Sequence, residues 1–145
     1  MSPDGDRALL LDTHVCLWYV EGERGRFSKR IEPLVEAAVE RGEVLISAIS
    51  VWEIAMLESL RRIELSQDVR TWVGRLLRFR GVQFRALSPS IAIESTRLPG
   101  TLHRDPADRM LVATARLTGA ALVTCDEHLI AYAKHGHVRV VDARR

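Results

Sequence analysis

The chain has 145 residues, 47% of them apolar and 28% charged, with a formal net charge of +2. That length suits one domain with a real core, and the composition excludes a disordered or low-complexity chain. No apolar run reaches membrane-spanning length, and so small a net charge excludes a uniformly basic protein.

Residues 1–6, acidic and polar, read as a flexible N-terminal extension and not as a secretory signal. Apolar runs of strand length then alternate with helical patterns. A first strand is expected over 7–11 and a short helix over 15–20, broken by Gly22 and Gly25. Ser28 is placed to cap a helix reaching residue 40, which Gly42 ends; a strand follows over 43–46. Ser50-Val51-Trp52-Glu53 has the spacing of a capping box opening a helix to residue 60. Another helix is expected over 68–79, stopped by Gly81, then a strand over 82–87. Ser88-Pro89 opens a further helix by the rule of a cap followed by proline. Asp105-Pro106 opens one running to residue 117, with Gly119 as its stop. A strand over 121–124, a helix over 127–134 and a strand over 138–141 complete the chain. The alternation implies an α/β fold, a single domain with a mostly parallel central sheet flanked by helices.

Carboxylates fall at the ends of these elements. Asp12 closes the run Ala8-Leu9-Leu10-Leu11, Asp126 follows Ala121-Leu122-Val123-Thr124-Cys125, and Asp105 and Asp108 open the helix over 105–117. Glu53 sits near the start of its own helix. Each acid taken singly has an ordinary explanation: Asp12, Asp105 and Asp126 as N-caps, Asp108 facing the helix dipole, Glu53 as the return partner of Ser50. Jointly they lie at the carboxyl edge of a parallel sheet, where ligand sites form. Such a cluster repels itself unless a cation neutralises it, and all-oxygen donors suit Mg²⁺ or Mn²⁺. The reaction class this suggests is phosphodiester hydrolysis.

At these residues the sequence resembles the PIN-domain family, specifically VapC-type toxins of bacterial toxin–antitoxin pairs. The resemblance runs through Leu9-Leu10-Leu11-Asp12-Thr13, Ser50-Val51-Trp52-Glu53-Ile54-Ala55, the His103-Arg104-Asp105-Pro106-Ala107-Asp108-Arg109 block and Leu122-Val123-Thr124-Cys125-Asp126. It implies a PIN-like fold and maps Asp12, Glu53, Asp108 and Asp126 onto the family's acidic tetrad, with Asp105 as an additional acid. Spacing favours Asp108 over Asp105 as the third member, because Asp108 directly precedes Arg109 and the apolar Met110-Leu111-Val112. The resemblance further implies a Mg²⁺- or Mn²⁺-dependent endoribonuclease acting on RNA such as tRNA. It also implies a homodimer restrained by a VapB-like antitoxin.

Around the acids, Thr13 and Thr124 have the position to hold a metal-bound water or a phosphate oxygen, or simply suit strand ends. Arg109 has the position to engage phosphate, with pairing to Asp105 the more ordinary reading. His103 and Arg104 suit either RNA contact or a solvated loop. His14 and the His135-Gly136-His137 run lack the further ligands of a zinc site. Trp18, Trp52 and Trp72 read as core or interface, with Trp52 the one placed to line an antitoxin groove. Arg61-Arg62 and Arg75, Arg78 and Arg80 fit an RNA path or a solvated helix face. Lys29 and Lys134 are the sole lysines; the arginine excess suits phosphate but equally a G+C-rich genome. Cys16 and Cys125, widely spaced, suit a reducing cytoplasm. Two alternatives remain: a catalytically silent PIN-like module binding RNA or protein, and a phosphatase with Asp12 as nucleophile. The latter wants a second acid two residues on, where this chain has His14.

Overall fold

The structure is a computed structural model and describes residues 6–145, so all of the expected extension but Asp6 lies outside the described residues. Strands β1 (Leu9–Leu11), β2 (Val44–Ser47), β3 (Val82–Arg85), β4 (Ala121–Thr124) and β5 (Val140–Asp142) form one parallel sheet in the order β3-β2-β1-β4-β5. The helices are α1 (Thr13–Glu21), α2 (Glu32–Arg41), α3 (Ala48–Ser59), α4 (Val69–Leu77), α5 (Pro89–Ser95), α6 (Pro106–Thr118) and α7 (Glu127–Ala133). No described helix is long and apolar enough to cross a membrane.

The central strands are apolar without alternation because both of their faces are covered. Leu9 and Leu11 point to one face with Val44, Ile46, Ala121 and Val123, where Cys16, Ala38 and the buried Trp72 and Leu76 join them. Leu10, Leu45 and Leu122 point to the other, against Leu111, Val112, Ala115 and Leu129. The strand period of two thus feeds two cores, and the helices supply one layer on each side. Gly81 lets the start of β3 press against α2: its φ is +82°, and a Cβ there would lie 2.6 Å from the Val39 carbonyl oxygen.

Several expectations shift. The first strand is shorter than 7–11, since pairing begins at Leu9 with Val44 and Ala121. Ser28 does act as a cap, but of a 3₁₀ turn over Lys29–Ile31 that leads into α2 at Glu32-Pro33. The capping box fails: α3 begins earlier, with Ser47 as N-cap accepting from the Ile49 amide. Ser50 is therefore inside the helix and buried, and Glu53 lies in the second turn, where no cap is needed. The helix capped by Ser88, the one capped by Asp105 and β4 all fall as the spacing indicates.

The sheet's order reverses at β1, with β2 and β3 to one side and β4 and β5 to the other. The crevice beyond the carboxyl ends of β1 and β4 is therefore the topological switch point, the usual place for a ligand in an open α/β sheet.

Candidate active site

The residue after β1 is Asp12, and it is 8% exposed. One of its carboxylate oxygens accepts from the Thr13 amide at 2.6 Å; the other accepts from the Thr124 hydroxyl at 2.6 Å. That hydroxyl also accepts from the Asp126 backbone amide at 3.0 Å. A single fully buried threonine at the end of β4 thus ties the side chain of one acid to the backbone of the next. The Asp126 carboxylate caps α7 through the His128 and Leu129 amides.

Asp105 caps α6 by accepting from the Asp108 amide at 3.0 Å, which sets the Asp108 side chain one helical turn further into the crevice. Glu53 arrives from α3. Its helix is fixed to α1 by the Thr13 hydroxyl, which donates to Ser50 Oγ at 3.1 Å. Asp12, Glu53, Asp105, Asp108 and Asp126 line one cleft of about 300 Å³, together with His14, Trp18 and Cys125. Neither arginine nor lysine lines it.

The electrostatics follow from this crowding. Burial, and then the charges of Asp105, Asp12, Asp126 and Glu53, push the Asp108 carboxyl up to about 8. Burial raises Asp12 as well, against the opposing Thr124 hydrogen bond. Glu53 is raised by burial and by Asp105 and Asp12. Among the described residues no three His, Cys, Asp or Glu side chains form a closed ligand cage. The donors instead ring an open, all-oxygen cleft. That fits a hard divalent cation that keeps several waters and uses few carboxylates, and not a caged zinc.

The expected residues around the acids divide. Thr13 and Thr124 are buried, with their hydroxyls directed at Ser50 and Asp12, so they position the acids. Arg109 does not pair with Asp105. Its guanidinium donates to the carbonyls of Ser95, Leu102 and His103, pinning the loop between α5 and α6, because those unpaired carbonyls lie closer than the exposed cap. Trp72 is fully buried, whereas Trp52 is 55% exposed, which overturns core packing for it: the earlier start of α3 turns that position outward. Arg75 reaches the Val20 carbonyl and the Phe79 ring, and Arg80 pairs with Glu40, so these two are engaged locally. Both cysteines are free thiols.

One residue was undervalued in the sequence. His103 Nε2 lies 3.0 Å from Asp108 Oδ2, and its ring stacks on His128 with centroids 5.2 Å apart. The only signal was its place five residues before Asp108, which does not say that the loop folds back over the helix start.

Fold and cleft together define a parallel α/β domain with an acidic site at its switch point. The chain belongs to the PIN-domain family, whose model (PIN domain) matches residues 9–135. It is 36% identical over 133 residues to Ribonuclease VapC22 of Mycobacterium tuberculosis (strain ATCC 25618 / H37Rv), covering 92% of this chain and 95% of that relative. Similar folds occur in the crystal structure of VapBC2 from Rickettsia felis bound to a DNA fragment from its promoter, with a TM-score of 0.66 and 14% identity over 93% of this chain and 98% of that one. DNA-bound VapBC from Salmonella typhimurium gives a TM-score of 0.61 at 18% identity, over 94% of this chain and 98% of that one.

Proposed function

We propose that this chain is a divalent-metal-dependent endoribonuclease toxin, restrained in the cell by a small VapB-like antitoxin. The observation that carries the reading is the convergence of Asp12, Glu53, Asp108 and Asp126 in one cleft of a PIN domain. The 36% identity to a protein named a ribonuclease supports the choice of RNA over other phosphodiesters.

In this reading Asp12, Asp108 and Asp126 hold Mg²⁺ or Mn²⁺ with Glu53 beside them, and Asp105 is auxiliary. The bound cation supplies Lewis acidity toward a phosphodiester and lowers the pKa of water. The remaining work belongs to the side chains. Thr124 orients Asp12, and the Asp105 cap sets the start of α6 and with it Asp108. His103 fixes the Asp108 carboxylate from the open side. With no arginine or lysine in the cleft, its fixed charge is negative, and RNA enters it productively only when a cation is present.

Control by a partner suits α3, which presents the exposed Trp52 beside half-buried Val51, Ala55 and Leu57 to an amphipathic helix. A basic side chain of that partner entering the cleft would neutralise the carboxylates in place of metal. Homodimerisation belongs to the same reading, with exposed Leu60, Phe84 and Ile93 as apolar surface.

The test is induced expression with and without the product of an adjacent small gene, followed by sequencing of RNA ends. Growth arrest with new RNA ends, relieved by co-expression of a co-purifying partner, is the expected result. Purified protein should cut RNA in Mn²⁺ or Mg²⁺ and stop in excess EDTA. Intact growth and RNA at high expression of folded protein would overturn the reading in favour of a silent binding module.

A further inference from the structure

The acidic cleft holds no arginine or lysine, so the affinity for a polyanion must be supplied elsewhere on the surface. The sheet has a second concave feature at its opposite edge. A groove of about 710 Å³ is lined by Arg7, Arg116, Arg139 and His137, with Glu94 as its one carboxylate. Arg7 precedes β1, Gly119 and Ala120 precede β4, and Arg139 precedes β5, so in a parallel sheet all of them lie at the amino edge.

The charges in this groove are unbalanced. Arg116 is neutralised by Glu94 at 2.9 Å and braces the His137 carbonyl. The guanidiniums of Arg7 and Arg139 have no carboxylate beside them in the groove lining. Arg7 Nη1 donates to the Gly119 carbonyl at 3.0 Å, but its Nε is buried without any hydrogen-bond partner. A charged donor left in that condition costs stability, and an anionic oxygen entering the groove removes the cost. The planar fork of arginine matches phosphate, and the imidazole of His137 adds a further donor or acceptor at the wall.

We propose that this amino-edge groove binds backbone phosphates of RNA, as an anchoring site separate from the cleft in which the strand is cut. The inference rests on the ribonuclease reading. At about 3.3 Å per residue the strands separate the two edges by roughly 10–15 Å, so one structured RNA reaches both. A folded RNA therefore gains affinity that a short oligonucleotide confined to the cleft does not.

The experiment measures binding of a fluorescein-labelled RNA stem-loop to the full chain in EDTA, across a salt series, by anisotropy. The double variant Arg7→Gln/Arg139→Gln should bind about tenfold more weakly at low salt, and its log–log salt slope should fall by about 2, one unit per lost phosphate contact. The Lys/Lys double variant should recover most of both quantities. Arg7 also holds the Gly119 carbonyl, so Arg139→Gln alone, with half the change in slope, decides the matter if the double variant does not fold. Unchanged affinity and slope in a folded Gln variant would overturn the proposal, as would a Lys/Lys variant no better than Gln/Gln. So would a labelled polyglutamate peptide whose binding depends on these arginines while that of the stem-loop does not, which marks an acidic-peptide site. Cleavage of cellular RNA by the unmodified chain in Mn²⁺ is scored separately. Its absence counts against the ribonuclease reading, whereas the anisotropy result decides the groove.

Discussion

At the scale of single residues, Asp108 is the acid that crowding affects most. The folded, metal-free chain holds the Asp108 proton up to about pH 8, whereas an unfolded chain releases it near the ordinary 3.8. Between those values the folded state carries the extra proton, so this group's contribution to stability falls as pH rises through the window and is least favourable above 8. Asp108→Asn removes that penalty. In EDTA it should stabilise the protein at pH 8.5 by about 2 kcal/mol, and by much less at pH 5, when melted thermally. That figure is below the full conversion of the shift because the cleft is open to water. The same variant, like Asp12→Asn, should lose more than about 100-fold in RNA cleavage, beyond the usual loss for a supporting residue. Asp105→Asn keeps its capping oxygen and should lose much less. A larger loss for Asp105→Asn would exchange the two roles. Thr124→Val leaves the buried Asp12 without its strongest donor and should cost about 10–100-fold in cleavage at constant fold.

At the scale of elements, the site depends on how helix starts are held. Three of the acids are N-caps as well as cleft residues, so local capping and clustering are one arrangement: a cap fixes the backbone at a helix start, and those starts lie at the carboxyl edge. Glu53 is different. It reaches the cleft from the second turn of α3, and the Thr13–Ser50 hydrogen bond between α1 and α3 keeps that helix in place. The loop between α5 and α6 is held by Arg109, whose three carbonyl contacts also set His103. Arg109→Met should destabilise the protein by about 2–3 kcal/mol in urea titration. It should also raise amide exchange across residues 96–104 more than in β4. Equal protection in that loop before and after substitution would show that Arg109 does not pin it.

At the scale of the whole molecule, the cleft joins the ends of β1 and β4 with the starts of α6 and α7 and the middle of α3. A cation bound among these elements links the two halves of the sheet across its switch point and binds the folded state alone. Mn²⁺ at about a hundred times its dissociation constant should therefore stabilise the protein by about 2.7 kcal/mol. Asp12→Asn should lose most of that gain in a thermal melt. An equal gain in both proteins would place the cation elsewhere.

The sequence by itself determined the fold class, the order of the elements, most helix caps and the four acids brought into one cleft. Those features are written in local chemistry: runs of Leu and Val, Ser-Pro and Asp-Pro starts, and acids following apolar strands. It misplaced the start of α3, because Ser47 and Ser50 are both acceptable caps and only the pairing of β2 with β1 and β3 fixes where the strand ends. It could not place Trp52 outside, direct Arg109 to three distant carbonyls, or lay His103 against Asp108. These depend on contacts between segments whose separation is set by packing. The raised pKa of Asp108 and the cationic groove at the amino edge have the same origin. Each arises from charges far apart in the chain that a parallel sheet delivers to one edge, so only the tertiary structure decided them.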